Sequence, residues 1–172
     1  MKCRIIYLLV FVLVFFSCVK EKKTGVELAV GDYIPDFEVV MNDGSILSSD
    51  GLKDAVSCIV FFNTSCPDCQ QTLPVIQKLY DNYEFKGVRF ALISREDVAA
   101  TVAAYWEKKE FTMPYSAQQT REIYNLFAQT RVPRVYICEK GGVIRYIHTD
   151  DPLPEFEDLD QQLSSVCDSV KE

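Results

Sequence analysis

The chain has 172 residues, 48% of them hydrophobic, with 25 acidic residues against 18 basic ones and a net charge of −7. That acidity removes the electrostatic case for binding nucleic acid or anionic lipid headgroups. The length suits one domain with a full core once the amino terminus is set aside.

Residues 1–17 read as a secretory signal peptide rather than part of the fold. Lys2 and Arg4 make a basic start, and Ile5 to Phe16 is an unbroken apolar run. The run is shorter than the roughly 20 residues a spanning helix needs. It ends in Phe15-Phe16-Ser17-Cys18, which resembles the lipobox of bacterial lipoproteins, although Phe15 stands where Leu is usual. The resemblance implies acylation of Cys18 and attachment to a membrane through acyl chains. A plain secretory signal cleaved near Ser17 is the alternative. Loss of residues 1–17 removes Lys2 and Arg4 and takes the net charge to −9. Residues 18–28, charged and poor in apolar side chains from Val19 to Gly25, read as a tether. Residues 29–172 read as the domain.

Asn42-Asp43-Gly44 is a turn signal that makes residues 37–48 a hairpin. An apolar β-type run follows over 56–62, then a helix over 67–83 with Leu73, Ile76, Leu79 and Tyr80 at helical spacing. Pro74, inside that helix, is expected to kink it. Val88 to Ser94 reads as a buried strand and Asp97 to Lys109 as a helix with Val98, Val102, Tyr105 and Trp106 on one side. Tyr115 and Ser116 read as a short extended piece, and Thr120 to Gln129 as a helix. A strand over 134–138, a Gly141-Gly142 turn, a strand over 143–148 and a helix over 154–170 close the chain. Strands alternating with helices, then a terminal hairpin, imply an α/β fold with a mixed sheet and helices on both faces.

Between the strand at 56–62 and the helix at 67–83 lies Cys66-Pro67-Asp68-Cys69. Strand, Cys-x-x-Cys, helix puts the first sulfur at a helix N-terminus, where free N–H groups and the helix dipole favour a thiolate. A second thiol one turn away completes the apparatus for thiol–disulfide exchange. Of the seven cysteines, Cys3 leaves with the signal. Cys58 and Cys138 lie in apolar runs as small buried hydrophobes, and Cys167 packs on the last helix. A zinc site needs about four ligands. One Cys-x-x-Cys and a single His148 do not supply them, and no metal or other cofactor is expected.

With these residues in place, the chain resembles the thioredoxin fold, specifically the TlpA/ResA-like exported thiol–disulfide oxidoreductases of the alkyl hydroperoxide reductase/TSA superfamily. The likeness covers about residues 29–170. It rests on Gly31-x-x-x-Pro35-Asp36-Phe37, on Cys66-Pro67-Asp68-Cys69 with Pro74, and on Val132-Pro133 followed by a strand and Gly141-Gly142. It implies a three-layer thioredoxin-like sandwich with an N-terminal β-hairpin extension. It further implies that Cys66 is the exposed nucleophile, Cys69 the buried resolving thiol, and Pro133 a cis proline beside the sulfurs. The backbone of Val132 would pair with bound substrate, with Pro67 and Asp68 also at the binding surface.

Two departures stand out. Ser65 replaces the Trp that the family often carries before the first cysteine. Val60 stands where thioredoxin has a buried Asp, so the group that moves a proton at Cys69 is unassigned; Asp68 is the nearest carboxylate in sequence. A negative charge at Asp68 opposes the Cys66 thiolate. That favours a reductant, with a potential well below the −120 mV or so of strong periplasmic oxidants.

The expected partners are protein disulfides and a membrane or periplasmic thiol donor, met by a monomer in the cell envelope facing the periplasm. A peroxiredoxin-like peroxidase is one rival. It needs Pro-x-x-x-Thr-x-x-Cys, and the chain has Ile59 and Asn63 at those places. A non-catalytic lipoprotein binding domain with a structural Cys66–Cys69 disulfide is the other, but so small a loop constrains the unfolded chain weakly. Arg131 and Arg134 flank Val132-Pro133 and read as loop residues in solvent or as contacts to an acidic partner. His148 reads as solvated, and Trp106 as packing.

Overall fold

A computed structural model describes residues 25–169; residues 1–24, on which the expected signal peptide and Cys18 fall, and residues 170–172 lie outside the described residues. The N-terminal hairpin pairs β1 (Glu38–Val40) with β2 (Ile46–Ser48) in antiparallel register, Val39 opposite Leu47. Its turn is built as the sequence indicates: Gly44 takes φ 84°, the left-handed region, and Ser45 N–H donates to Asp43 Oδ1 at 2.9 Å. One helical turn, α1 (Ser49–Lys53), follows, capped by Ser48 Oγ accepting from Gly51 N–H.

The main sheet has five strands in the order β5-β4-β3-β6-β7: β3 (Ser57–Phe62), β4 (Arg89–Ser94), β5 (Tyr115–Ser116), β6 (Arg134–Cys138) and β7 (Ile144–His148). β3, β4 and β5 are parallel, while β6 and β7 run antiparallel to their neighbours. The fold is therefore the α/β thioredoxin-like sandwich with a mixed central sheet and an N-terminal hairpin.

Every residue of β3 is completely buried, because both faces of this central strand are covered. Phe61 stands edge-on to Tyr124 at 5.3 Å and packs on Phe127 at 4.8 Å; its neighbour Phe62 points the other way, onto Trp106 at 5.0 Å. A strand covered on both faces reads as a continuous apolar run, as 56–62 does.

The helices are α2 (Pro67–Tyr83), α3 (Ala99–Lys109), α4 (Glu122–Asn125) and α5 (Phe156–Ser169). α2 buries Leu73, Ile76 and Leu79, each contributing about 1.5–3 kcal/mol. It meets α5 where Tyr83 Oη donates to the Asp160 carbonyl at 3.0 Å. α2 runs through Pro74, whose ring lies on the exposed face.

Three helices are shorter than their sequence pattern. α5 begins at Phe156 rather than at residue 154. α3 begins at Ala99 rather than at residue 97, because the Asp97 carboxylate is engaged with Thr64 and does not cap the helix. The helix expected over 120–129 shrinks to α4. There the bonds tighten to Leu126 N–H to Ile123 O and Phe127 N–H to Tyr124 O, and the chain turns into the loop before β6.

Candidate active site

Cys66 is the N-cap of α2, with extended φ/ψ of −80° and 121°, and Pro67 occupies the helix start, where its missing N–H costs nothing. Gln70 N–H donates to the Cys66 carbonyl at 3.0 Å, closing the first helical turn. That turn carries Cys69 beneath Cys66: Cys66 is half-buried and Cys69 fully buried, both as thiols.

The turn ahead of the cysteines is braced from several sides. Asn63 N–H donates to Cys69 Sγ at 3.4 Å, and Asn63 O accepts from Cys66 N–H at 3.1 Å. The Asn63 side chain donates to Arg95 O at 2.8 Å and accepts from Ser65 N–H at 2.9 Å. Asp97, 7% exposed, accepts from Thr64 N–H at 2.7 Å and from Thr64 Oγ1 at 3.1 Å. Gln70 Nε2 donates to Thr64 O at 2.8 Å.

From the opposite side comes the loop before β6. Its Val132–Pro133 peptide is cis, both residues are buried, and Val132 O accepts from Cys66 Sγ at 3.4 Å. Cys66, Cys69, Val132 and Pro133 are thus brought together at one end of the sheet. Pro67 is exposed beside Cys66, and Asp68 sits in the first turn of α2, where its charge complements the helix dipole.

Burial pushes the Cys69 thiol well above the ordinary cysteine range. The Asn63 N–H works against that burial, the neighbouring Cys66 sulfur adds to it, and the positive charge of Arg95 pulls in the direction of the thiolate. The groups acting on Cys69 are therefore Asn63, Cys66 and Arg95.

Arg134 corrects the sequence reading of a loop residue in solvent or in contact with an acidic partner. It is 4% exposed, and its guanidinium donates to Glu27 Oε1 at 2.5 Å and to the Thr130 carbonyl at 3.2 Å. Arg131 does lie at the surface, paired with Asp150 at 3.1 Å. His148 is half-buried rather than free in solvent, with Nε2 2.7 Å from Gln162 Oε1 on α5. Trp106 packs in the core and donates from Nε1 to Met113 O at 2.8 Å. Cys58 and Cys138 are buried and Cys167 half-buried. Among the described residues, no three of His, Cys, Asp and Glu gather where they could hold a metal ion.

Sequence reasoning missed Arg95, Asp97 and Tyr124. Arg95 and Asp97 follow the carboxyl end of a parallel strand, the place where α/β sheets build their sites, and that position was the available clue. Tyr124 had none, because its hydroxyl acts on a loop whose path is set by packing.

The Redoxin family profile matches residues 29–163. The thiol–disulfide oxidoreductase ResA of Oceanobacillus iheyensis is 26% identical over 147 residues, spanning 83% of this chain and 77% of that protein. ResA of Geobacillus thermodenitrificans is 24% identical, over 84% of this chain and 81% of its own. Among solved structures, a putative protein disulfide isomerase from Bacteroides thetaiotaomicron superimposes with a TM-score of 0.78 at 21% identity, covering 84% of this chain and 93% of the other. A thiol:disulfide interchange protein from Chlorobium tepidum gives 0.70 at 21% identity, covering 81% and 99%.

Proposed function

The chain belongs to the Redoxin family, and we propose that it works as a thiol–disulfide oxidoreductase, with Cys66 as nucleophile and Cys69 as resolving thiol. One observation carries this reading. A half-buried sulfur at a helix start lies directly above a fully buried one, with the Val132 carbonyl of the cis-proline loop 3.4 Å from the outer sulfur.

The Cys66 thiolate attacks one sulfur of a client disulfide. The client S–S bond breaks, a Cys66–client disulfide forms, and the first client sulfur leaves as a thiolate that takes up a proton. Cys69 then loses its proton and attacks Cys66 Sγ. The second client sulfur leaves and is protonated, and the protein is left with a Cys66–Cys69 disulfide. Two electrons and two protons have passed to the client, and a thiol donor must return them. Burial of Cys69 keeps it protonated until the mixed disulfide forms, and the Asn63 N–H and Arg95 charge favour the thiolate it must then become.

We assign the direction as reduction of client disulfides, from the acidic residue Asp68 that follows Cys66 by two positions in the first turn of α2. Val132 would pair with the client backbone, Pro133 would shape that ledge, and Pro67 and Asp68 would border it. The setting we propose is the cell envelope: residues 1–17 as signal, Cys18 acylated, residues 18–28 as tether, and residues 29–172 as the domain, monomeric and facing the periplasm. Among the described residues no helix is long and apolar enough to cross a membrane.

The test is Cys69→Ser, which leaves the nucleophile and removes the thiol that resolves the mixed disulfide. Client proteins should accumulate on Cys66 as dithiothreitol-sensitive adducts, and Cys66→Ser should capture none. Absence of adducts, with reduced Cys66 resisting alkylation, would refute the reading.

A further inference from the structure

We propose that Tyr124 is a positioning residue for client docking, its hydroxyl holding the 130–131 carbonyls so that Val132 faces the Cys66 sulfur. The inference rests on the oxidoreductase reading above and deepens it.

Tyr124 is 1% exposed, and its ring is held on three sides. Phe61 meets it edge-on at 5.3 Å, the Arg95 guanidinium lies over it at 4.9 Å, and the Arg121 guanidinium at 5.4 Å. Cations over an aromatic face are attracted by its quadrupole, so the ring is fixed and the direction of the hydroxyl with it. The hydroxyl donates to the carbonyls of Thr130 and Arg131, the latter at 2.6 Å. Burial pushes the phenol above its ordinary range and keeps the donor proton on the oxygen.

The two carbonyls it holds come immediately before the cis peptide. Arg131 has φ 71°, a left-handed conformation that an L side chain with a Cβ adopts only when its surroundings impose it. Capture of its carbonyl by Tyr124 and of its guanidinium by Asp150 supplies that imposition. With the Thr130 and Arg131 carbonyls turned inward, the next one, Val132 O, faces Cys66 Sγ at 3.4 Å. Arg121 donates to the Gln129 carbonyl, and Arg134 donates to the Thr130 carbonyl at 3.2 Å. The ledge is therefore tied down residue by residue, and Tyr124 holds its last step before the sulfur.

Tyr124→Phe removes the hydroxyl and keeps the ring with all three of its packing partners. Two substrates separate docking from sulfur chemistry: a small aromatic disulfide needs no ledge, whereas insulin, a polypeptide disulfide, does. Tyr124→Phe should raise KM for insulin about tenfold, the equivalent of one buried hydrogen bond, with kcat for insulin and the small-disulfide rate unchanged. Amide exchange at Arg131 and Val132 should accelerate. An unchanged insulin KM, or equal losses on both substrates, would overturn the proposal. Failure of the unmodified protein to reduce either substrate would instead sink the oxidoreductase reading itself.

Discussion

Asp97 is a nearly buried carboxylate that satisfies both the N–H and the hydroxyl of Thr64, two residues before Cys66. Its removal strands those donors in a place where water reaches poorly. Asp97→Ala should cost about 1–3 kcal/mol of stability, read as a shift in the urea midpoint. Asp97→Asn, which can still accept from the N–H, should cost less. A midpoint for Asp97→Ala within about 0.5 kcal/mol of the unmodified protein, the range of ordinary surface changes, would show that the clamp is incidental. Cys66 and Cys69 were legible from their spacing alone. Their braces were not: Asp97 is 33 residues from Thr64 and Glu27 is 107 from Arg134. Arg134, read as a loop residue in solvent or against an acidic partner, is buried and pairs with Glu27 of the N-terminal segment.

Among the elements, β3 and β6 carry two thiols that take no part in the proposed cycle. The register sets Cys58 opposite Ile137 and Ser57 opposite Cys138. Opposed residues share a face and successive ones alternate, so Cys58 and Cys138 point to opposite sides of the sheet, out of disulfide reach. Burial raises both thiols, Cys138 to about 12 and Cys58 further. The sign follows from linkage. The folded state holds these protons more tightly than the unfolded chain, whose thiols titrate near 8.5. Stability from this source is complete below about pH 8.5 and is lost as the pH rises toward the folded values, roughly 2 kcal/mol per thiol by pH 10. Urea unfolding in reducing buffer checks it: Cys138→Ala should start less stable near pH 7, for its cavity, yet lose less between pH 8 and 10. Equal alkaline slopes would count against it. The extents of β3, β4, β6 and β7 followed the apolar runs closely, and the hairpin of β6 with β7 followed from the Gly141-Gly142 turn. α4 did not, because the residues expected to extend it turn instead into the loop that Tyr124 and Arg121 hold.

For the whole molecule, the acidic balance and the amino-terminal pattern bear on location, and the fold bears on where the chain enters. Val26 O accepts from Gln129 Nε2 at 3.4 Å, Leu28 N–H donates to Phe127 O at 2.9 Å, and Glu27 pairs with Arg134. Residues 26–28, the end of the proposed tether, are thus built into the loop leading to Pro133. Cys18→Ser should move the protein from the membrane fraction to the soluble one, with insulin reduction by the purified protein unchanged. Retention in the membrane fraction would contradict the acylation of Cys18.

By itself the sequence determined what is local: the apolar run of the central strand, the two thiols one helical turn apart, the glycine turn of the hairpin. Each depends on spacing within a few residues, which the backbone geometry converts directly into a face or a turn. Only the tertiary structure decided how those thiols are held. It buried Cys69, lined its surroundings with the Asn63 N–H and the Arg95 charge, and set Val132 O against Cys66 through Tyr124. The physical reason is that a hydrogen bond between distant segments exists only after packing has removed water from both, and packing is a property of the whole sheet and its helices.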